Sequence, residues 1–162
     1  MLQRVGIMWT TNALEPAAEH FISNLVRQKL FTVIDSLSAA KTDKDSWLLY
    51  LPENEFHEIG LLFANFLIRQ SGRKAIYLGS NVPLDSLFVA VKESSPENVL
   101  LFLAHNDLPD ETQHYLNELS LFFAKKKIYV AADRSLFENI KSPKNIHWLS
   151  SPKDLEQLLP DF

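Results

Sequence analysis

The sequence contains no cysteine, which excludes a disulfide framework, a thiolate metal site and a cysteine nucleophile, and leaves nothing to argue for an oxidising compartment. Glycine is scarce, with 4 residues in the chain, so a dinucleotide fingerprint and a glycine-rich phosphate loop are ruled out. No run reaches the roughly 18 consecutive apolar residues of a membrane helix, and no signal-peptide pattern opens the chain. Positive charge is not in surplus: the formal net charge is -4, so a grip on phosphates through Lys and Arg is not expected here. No Ser-His-Asp spacing rises above chance. A cytoplasmic chain that neither spans a membrane nor touches DNA by itself is the expectation.

What is present is enough for a core. With 162 residues, 46% hydrophobic and 22% charged, the chain fits one globular domain, or one domain with a small appendage. Met1 to Met8 reads as the tail of a helix whose beginning is missing, and Asn12 with Glu15 resembles a helix start. Apolar residues recur with helical period at Leu14, Ala17, Ala18, Phe21, Ile22 and Leu25, and again at Leu30, Val33, Ile34 and Leu37, with Ser23-Asn24 a break between two helices. Small and charged residues from Ser38 to Asp45 read as a linker. The predicted division is a partial helical bundle over 1–40 and a second domain over 45–162.

In that second part, short apolar runs alternate with helical stretches. Strands are expected at Trp47–Leu51, Ala75–Leu78, Val99–Ala104, Ile128–Ala131 and Ile146–Leu149. Helices are expected at Phe56–Gln70, Leu84–Glu93, Asp110–Lys126, near Leu136, and at Lys153–Leu159, with Gly72 closing the first. The run Lys125-Lys126-Lys127 reads as a cationic cap on a helix C-terminus. Alternation of this kind requires a parallel sheet covered on both faces, and consecutive apolar residues within strands agree with burial on both sides. The predicted fold is α/β, flavodoxin-like, with five strands in the order 2-1-3-4-5 and a ligand crevice beyond the carboxyl ends of strands one and three.

The segment Glu55-Phe56-His57-Glu58-Ile59-Gly60 falls at that crevice. An imidazole there can point out of the sheet toward a bound group, and a glycine one turn later lets the group approach the backbone. Taken alone the segment is a weak signal, since an exposed histidine at a helix start would look the same. A second cluster upstream raises it: Trp9, then Glu19-His20. His105, His114 and His147 read as turn, surface or edge positions.

Glu-x-His-x-x-Gly, followed by Tyr77-Leu78-Gly79-x-x-x-Pro83, resembles the cobalamin-binding domain of methionine synthase, corrinoid mutases and certain regulators. Trp9 with Glu19-His20 narrows the likeness to MerR-type transcriptional regulators of the CarH and LitR kind, in which a helical bundle precedes that domain, and Glu55 follows those regulators where mutases have Asp. The resemblance implies cobalamin, adenosylcobalamin included, as the cofactor. His57 would then be the lower ligand to the metal, Glu55 would orient its ring, Gly60 would admit the corrin edge, and Gly79 and Pro83 would line the crevice. Trp9 would cap the upper face with Glu19 and His20 beside the upper group, although Trp9 is equally read as bundle core, and adjacent helical residues such as Glu19 and His20 cannot share one face.

Three positions depart from the family. Where members have a Ser near the end of the third strand and a Gly-Gly pair after the fourth, this chain has Phe102-Leu103-Ala104 and Ala131-Ala132, which narrow the channel for the cofactor's nucleotide tail. Thr10 stands where light-responsive members have a histidine. The resemblance implies a non-enzymatic, ligand-sensing module of a cytoplasmic regulator that self-associates and reaches DNA only through a segment outside this chain, by a shift of population between states. Two alternatives stand beside it: a degenerate domain kept for oligomerisation, and a corrinoid shuttle subunit of a methyltransferase, against which Glu55 and the altered tail channel argue.

Overall fold

A computed structural model of the chain describes residues 16–40, 42–103, 109–137 and 140–159. The described elements run α1 (Pro16–Ser36), β1 (Thr42–Pro52), α2 (Ile59–Gln70), β2 (Arg73–Val82), α3 (Leu84–Ser94), β3 (Asn98–Leu103), α4 (Pro109–Phe122), β4 (Lys127–Ala132), α5 (Arg134–Phe137), β5 (Ile146–Leu149) and α6 (Pro152–Gln157). The strands form one sheet in the order β2-β1-β3-β4-β5, every pair parallel. The expected α/β, flavodoxin-like architecture is therefore the observed one.

Side chains alternate across the sheet because successive strand residues point to opposite faces. Leu48 and Tyr50 of β1 join Val99, Leu101, Ile128 and Val130 against Leu87 and Val91 of α3 and Leu116 and Leu119 of α4. Trp47, Leu49 and Leu51 point the other way, with Leu100 and Tyr129, against Leu61, Ala64 and Leu67 of α2 and Leu155 of α6. This two-sided burial is what the consecutive apolar residues of β1 and β3 require. It also leaves the carboxyl ends of β1 and β3 at the point where the chain winds in opposite directions, the position at which such sheets hold ligands.

Three local expectations are corrected. Ser23-Asn24 does not break the first helix: α1 runs 21 residues without interruption. Ser23 Oγ donates to Glu19 Oε1 at 3.2 Å, so its hydroxyl is satisfied within the helix instead of competing for the backbone. Ala18, Ile22, Val26, Leu30 and the buried Ile34 then form one half-buried stripe at a spacing of four. The linker is shorter than expected, because β1 starts at Thr42 with an irregular register up to Trp47. Asp45, in the left-handed region at φ 58, is held there by Arg73 Nε at 2.5 Å and Asn98 Nδ2 at 2.7 Å. The lysine run does not cap α4, which ends at Phe122: Lys126 Nζ donates to the Pro96 carbonyl and Lys127 opens β4.

Helix α1 packs on α2, which sets it against the flank of the sheet domain. Gly72, at φ 79, closes α2 by donating its N–H to the Arg69 carbonyl at 3.0 Å. Among the described residues no helix is long and apolar enough to cross a membrane.

Candidate functional site

The loop between β1 and α2 is built around one carboxylate. Glu55 Oε1 accepts the backbone N–H groups of Phe56 at 2.8 Å and His57 at 2.9 Å, and the His57 Nδ1 at 2.6 Å. Burial alone would raise the Glu55 carboxyl, but the His57 backbone donor, its imidazole and the Phe56 N–H together hold it below the ordinary carboxylate value. Glu55 is 13% exposed while the His57 ring is 64% exposed. The carboxylate is thus a half-buried anchor and the imidazole a presented group, with Nε2 as the basic nitrogen when Nδ1 carries the proton to Glu55.

The loop is also tied sideways. The Asn81 N–H donates to the Glu55 carbonyl at 3.1 Å and Asn81 Oδ1 accepts the Asn54 N–H at 2.9 Å, with Asn54 and Asn81 both in the left-handed region at φ 65 and 56. The end of β2 therefore braces the turn that carries His57. Gly79, at φ 83, lies where β2 inserts Leu78 as an extra residue against β1. A Cβ on Gly79 would meet Glu58 Oε1 at an ordinary contact distance of 3.4 Å, so it is the backbone conformation, not lack of space, that favours glycine there.

Below His57 lies a cavity of about 360 Å³ between α2 and α6, floored by the ends of β3, β4 and β5. Glu55, His57, Gly60, Ala131 and Ala132 line it, so the structure brings these expected site residues together. Gly79, Pro83, Glu19 and His20 are not among its lining residues. Pro83 caps the start of α3, His20 is exposed on α1 and Glu19 is half-buried and engaged with Ser23. Trp9, Thr10, Ala104 and His105 lie outside the described residues. His147 is exposed on the edge strand β5, and His114, also exposed, faces Glu118 one turn along α4.

Some contacts of the site are not legible in the sequence, although Phe102 itself stood out there as a departure. Glu58, 7% exposed, accepts the Arg27 guanidinium from α1 and the Tyr77 hydroxyl from β2 at 2.6 Å. Burial, reinforced by the bond to Glu58, pushes the Tyr77 phenol well above its usual range. Phe102 lies against Gly60 so closely that a Cβ there would come within 2.7 Å of Phe102 Cε1. Ser150 and Ser151, on the lining through the turn into α6, carry no sequence signal beyond a helix-start pattern; Ser151 and Asp154 form a reciprocal cap.

Fold and crevice place the chain among doubly wound, flavodoxin-like α/β domains with a histidine presented at the carboxyl end of β1. In sequence it is similar to two Myxococcus xanthus regulators: the HTH-type transcriptional repressor CarA, 32% identical over 118 residues, covering 73% of this chain and 39% of CarA, and the repressor CarH, 33% identical over 99 residues, covering 61% of this chain and 32% of CarH. The resemblance to CarH-like regulators read from the motifs is thereby borne out, and the chain spans well under half the length of these relatives. No protein-family model matches. Three solved structures share the fold: a monomethylamine corrinoid protein of Methanosarcina barkeri (TM-score 0.71, 12% identity, 96% of this chain and 76% of that one), the methanol:cobalamin methyltransferase complex MtaBC of the same organism (TM-score 0.61, 12% identity, 96% and 60%), and a cobalamin-binding protein from Desulfitobacterium hafniense DCB-2 (TM-score 0.58, 16% identity, 99% and 77%).

Proposed function

We propose that this chain is the corrinoid-sensing module of a transcriptional regulator, with His57 as the protein ligand to the corrinoid's metal. The observation that carries the reading is the Glu55–His57 pair: a half-buried carboxylate fixes Nδ1 of an exposed imidazole at the mouth of an apolar cavity. Among the described residues no group of three or more His, Asp or Glu side chains converges on one point, so a bare ion has no cage. A single presented imidazole suits a metal whose other ligands come from a macrocycle. When bound, such a group would supply a metal centre with an exchangeable ligand. His57 would hold it, Glu55 fixes the ring and sharpens its basicity, and Gly60 keeps the α2 backbone close to the crevice.

In this reading α1 belongs to a bundle that closes over the crevice, and the Arg27–Glu58–Tyr77 contacts couple it to the cofactor loop. DNA contact lies with another part of the protein, and self-association is the output, supported by the exposed Phe21, Leu25 and Phe31 on α1. Titration of the purified protein with hydroxocobalamin and, separately, with diaquocobinamide, followed by visible spectroscopy in the dark, tests the ligand assignment. At least one corrinoid is expected to give an imidazole-bound spectrum that His57→Ala abolishes. Binding of neither, or spectra insensitive to His57→Ala, would leave the reading without support.

A further inference from the structure

We propose that this site selects corrinoids lacking the nucleotide loop over complete cobalamins, and that Phe102 sets this preference; the inference rests on the corrinoid reading above. If an imidazole from the protein occupies the lower face of the metal, the cofactor's own base is displaced from it. That base stays tethered to the same face through a ribose and a phosphodiester, so the protein must house the whole tail beside His57. The cavity beneath the His57 loop is the space the described residues offer for it.

Three observations argue that the tail is poorly housed there. The first is the Phe102 ring, which lies against Gly60 at the first turn of α2, so close that even a methyl group would not fit between them. A ligand group that needed to approach the α2 backbone at Gly60 would meet this ring first. The second is charge. Among the described residues the lining of the cavity includes two carboxylates, Glu55 and Asp133, and neither Lys nor Arg. Asp133 is exposed at the edge of the lining, its Oδ1 accepting the Ser135 N–H at 2.9 Å and hydroxyl at 2.7 Å, and as a carboxylate it offers a phosphodiester no favourable partner. Enclosing a phosphodiester without a cation or N–H partners is costly. The third is size: about 360 Å³ lies near the lower end of the roughly 300–1,000 Å³ found for pockets that enclose drug-sized ligands. A corrinoid without the nucleotide loop asks none of this of the protein, since it needs His57 and the rim of the crevice alone.

The experiment is a calorimetric titration of the whole chain with diaquocobinamide and with hydroxocobalamin, in the dark, with visible spectra taken alongside. Cobinamide is expected to bind more tightly by about tenfold or more, the difference of roughly 1.4 kcal/mol that one obstructed group readily supplies. Phe102→Ser, which removes the ring and adds a hydroxyl, is expected to move the ratio of the two affinities by a similar factor toward hydroxocobalamin. Phe102→Leu, a milder change should the serine variant fold poorly, is expected to move it in the same direction by less. Hydroxocobalamin binding as tightly as cobinamide in the unmodified protein, with a His57-dependent spectrum, overturns the inference while leaving the corrinoid reading intact. An unchanged ratio in folded Phe102 variants overturns the role of that residue. Binding of neither corrinoid removes the corrinoid reading and this inference with it.

Discussion

Arg27 on α1 reaches across to Glu58, the residue next to His57, and the two close an ion pair in which the carboxylate is 8% exposed and the guanidinium 41%. The helix outside the sheet domain is thereby joined to the turn that presents the imidazole. Breaking the pair strands a buried carboxylate with the Tyr77 hydroxyl as its remaining partner in this trio. Arg27→Ala is expected to lower unfolding stability by about 1–3 kcal/mol, toward the lower end because solvent screens the exposed side of the guanidinium. Urea unfolding checks this, with Arg27→Lys as the comparison that keeps charge and loses the fork. A change in stability indistinguishable from zero would show that the pair does not fasten α1.

Glu55 gives the His57 loop a pH dependence whose sign follows from its depressed carboxyl. A group held below its unfolded value contributes stability that is full above the unfolded value and is lost as pH falls through the folded one. The stability difference between the native protein and Glu55→Gln is therefore expected to be largest near neutral pH, about 1–2 kcal/mol, and to shrink steadily below the ordinary carboxylate value of 4.5. Unfolding curves at a series of pH values between neutral and acid measure it. A difference that grows on acidification would reverse the sign and sink the argument.

Gly60 and Phe102 should be energetically coupled. Alanine in the first turn of α2 gains helix propensity over glycine, about 1 kcal/mol, yet its methyl group would strike the Phe102 ring at 2.7 Å. Gly60→Ala is expected to destabilise the native protein by about 1–2 kcal/mol net through overpacking, and to stabilise it in a Phe102→Ser background. A double-mutant cycle by thermal unfolding reads the interaction directly. Additive effects would mean that the ring moves aside freely.

Asn65 on α2 is 5% exposed, and its side-chain oxygen has no hydrogen-bond partner among the described residues. It sits beside Ile34 and Phe31 at the junction of α1 and α2. Replacing it with leucine is expected to raise stability by about 1 kcal/mol, because a desolvated carbonyl is exchanged for apolar contact. A loss of stability on the same scale would argue that this oxygen serves a packing partner of α1 and α2.

The sheet order and the position of the crevice were legible in sequence because a parallel sheet writes itself into consecutive apolar residues, as in Trp47 to Leu51, separated by helical periods. The Glu55, His57 and Gly60 constellation was legible because all three lie within one turn of chain. What local reading could not reach depends on distance along the chain. Arg27 meets Glu58 across 31 positions and Tyr77 meets it across 19, and neither residue differs in kind from any surface arginine or strand tyrosine. Ser23-Asn24 misled for the opposite reason: turn-forming residues looked decisive locally, while Val26 carried the apolar stripe across them. Phe102 stood out as an unusual residue for its place, but that its ring faces Gly60 rather than the helices of the other face follows only from the strand's pleat.

The two faces of the sheet differ in how tightly they are filled. On the α3 and α4 side, Phe88 stacks on Phe122 with ring centroids 3.7 Å apart and Phe123 meets both edge-on, leaving little to compress. On the α2 and α6 side the crevice of about 360 Å³ opens to solvent. Helices that wall an open crevice have fewer apolar contacts holding their backbone hydrogen bonds closed than helices seated on a filled core. Amide exchange in α2 and α6 should therefore run faster than in α3 and α4, and a ligand seated in the crevice would narrow the difference. The sheet behaves as a stiff backplate with one compliant side, and the compliant side is the one that carries His57.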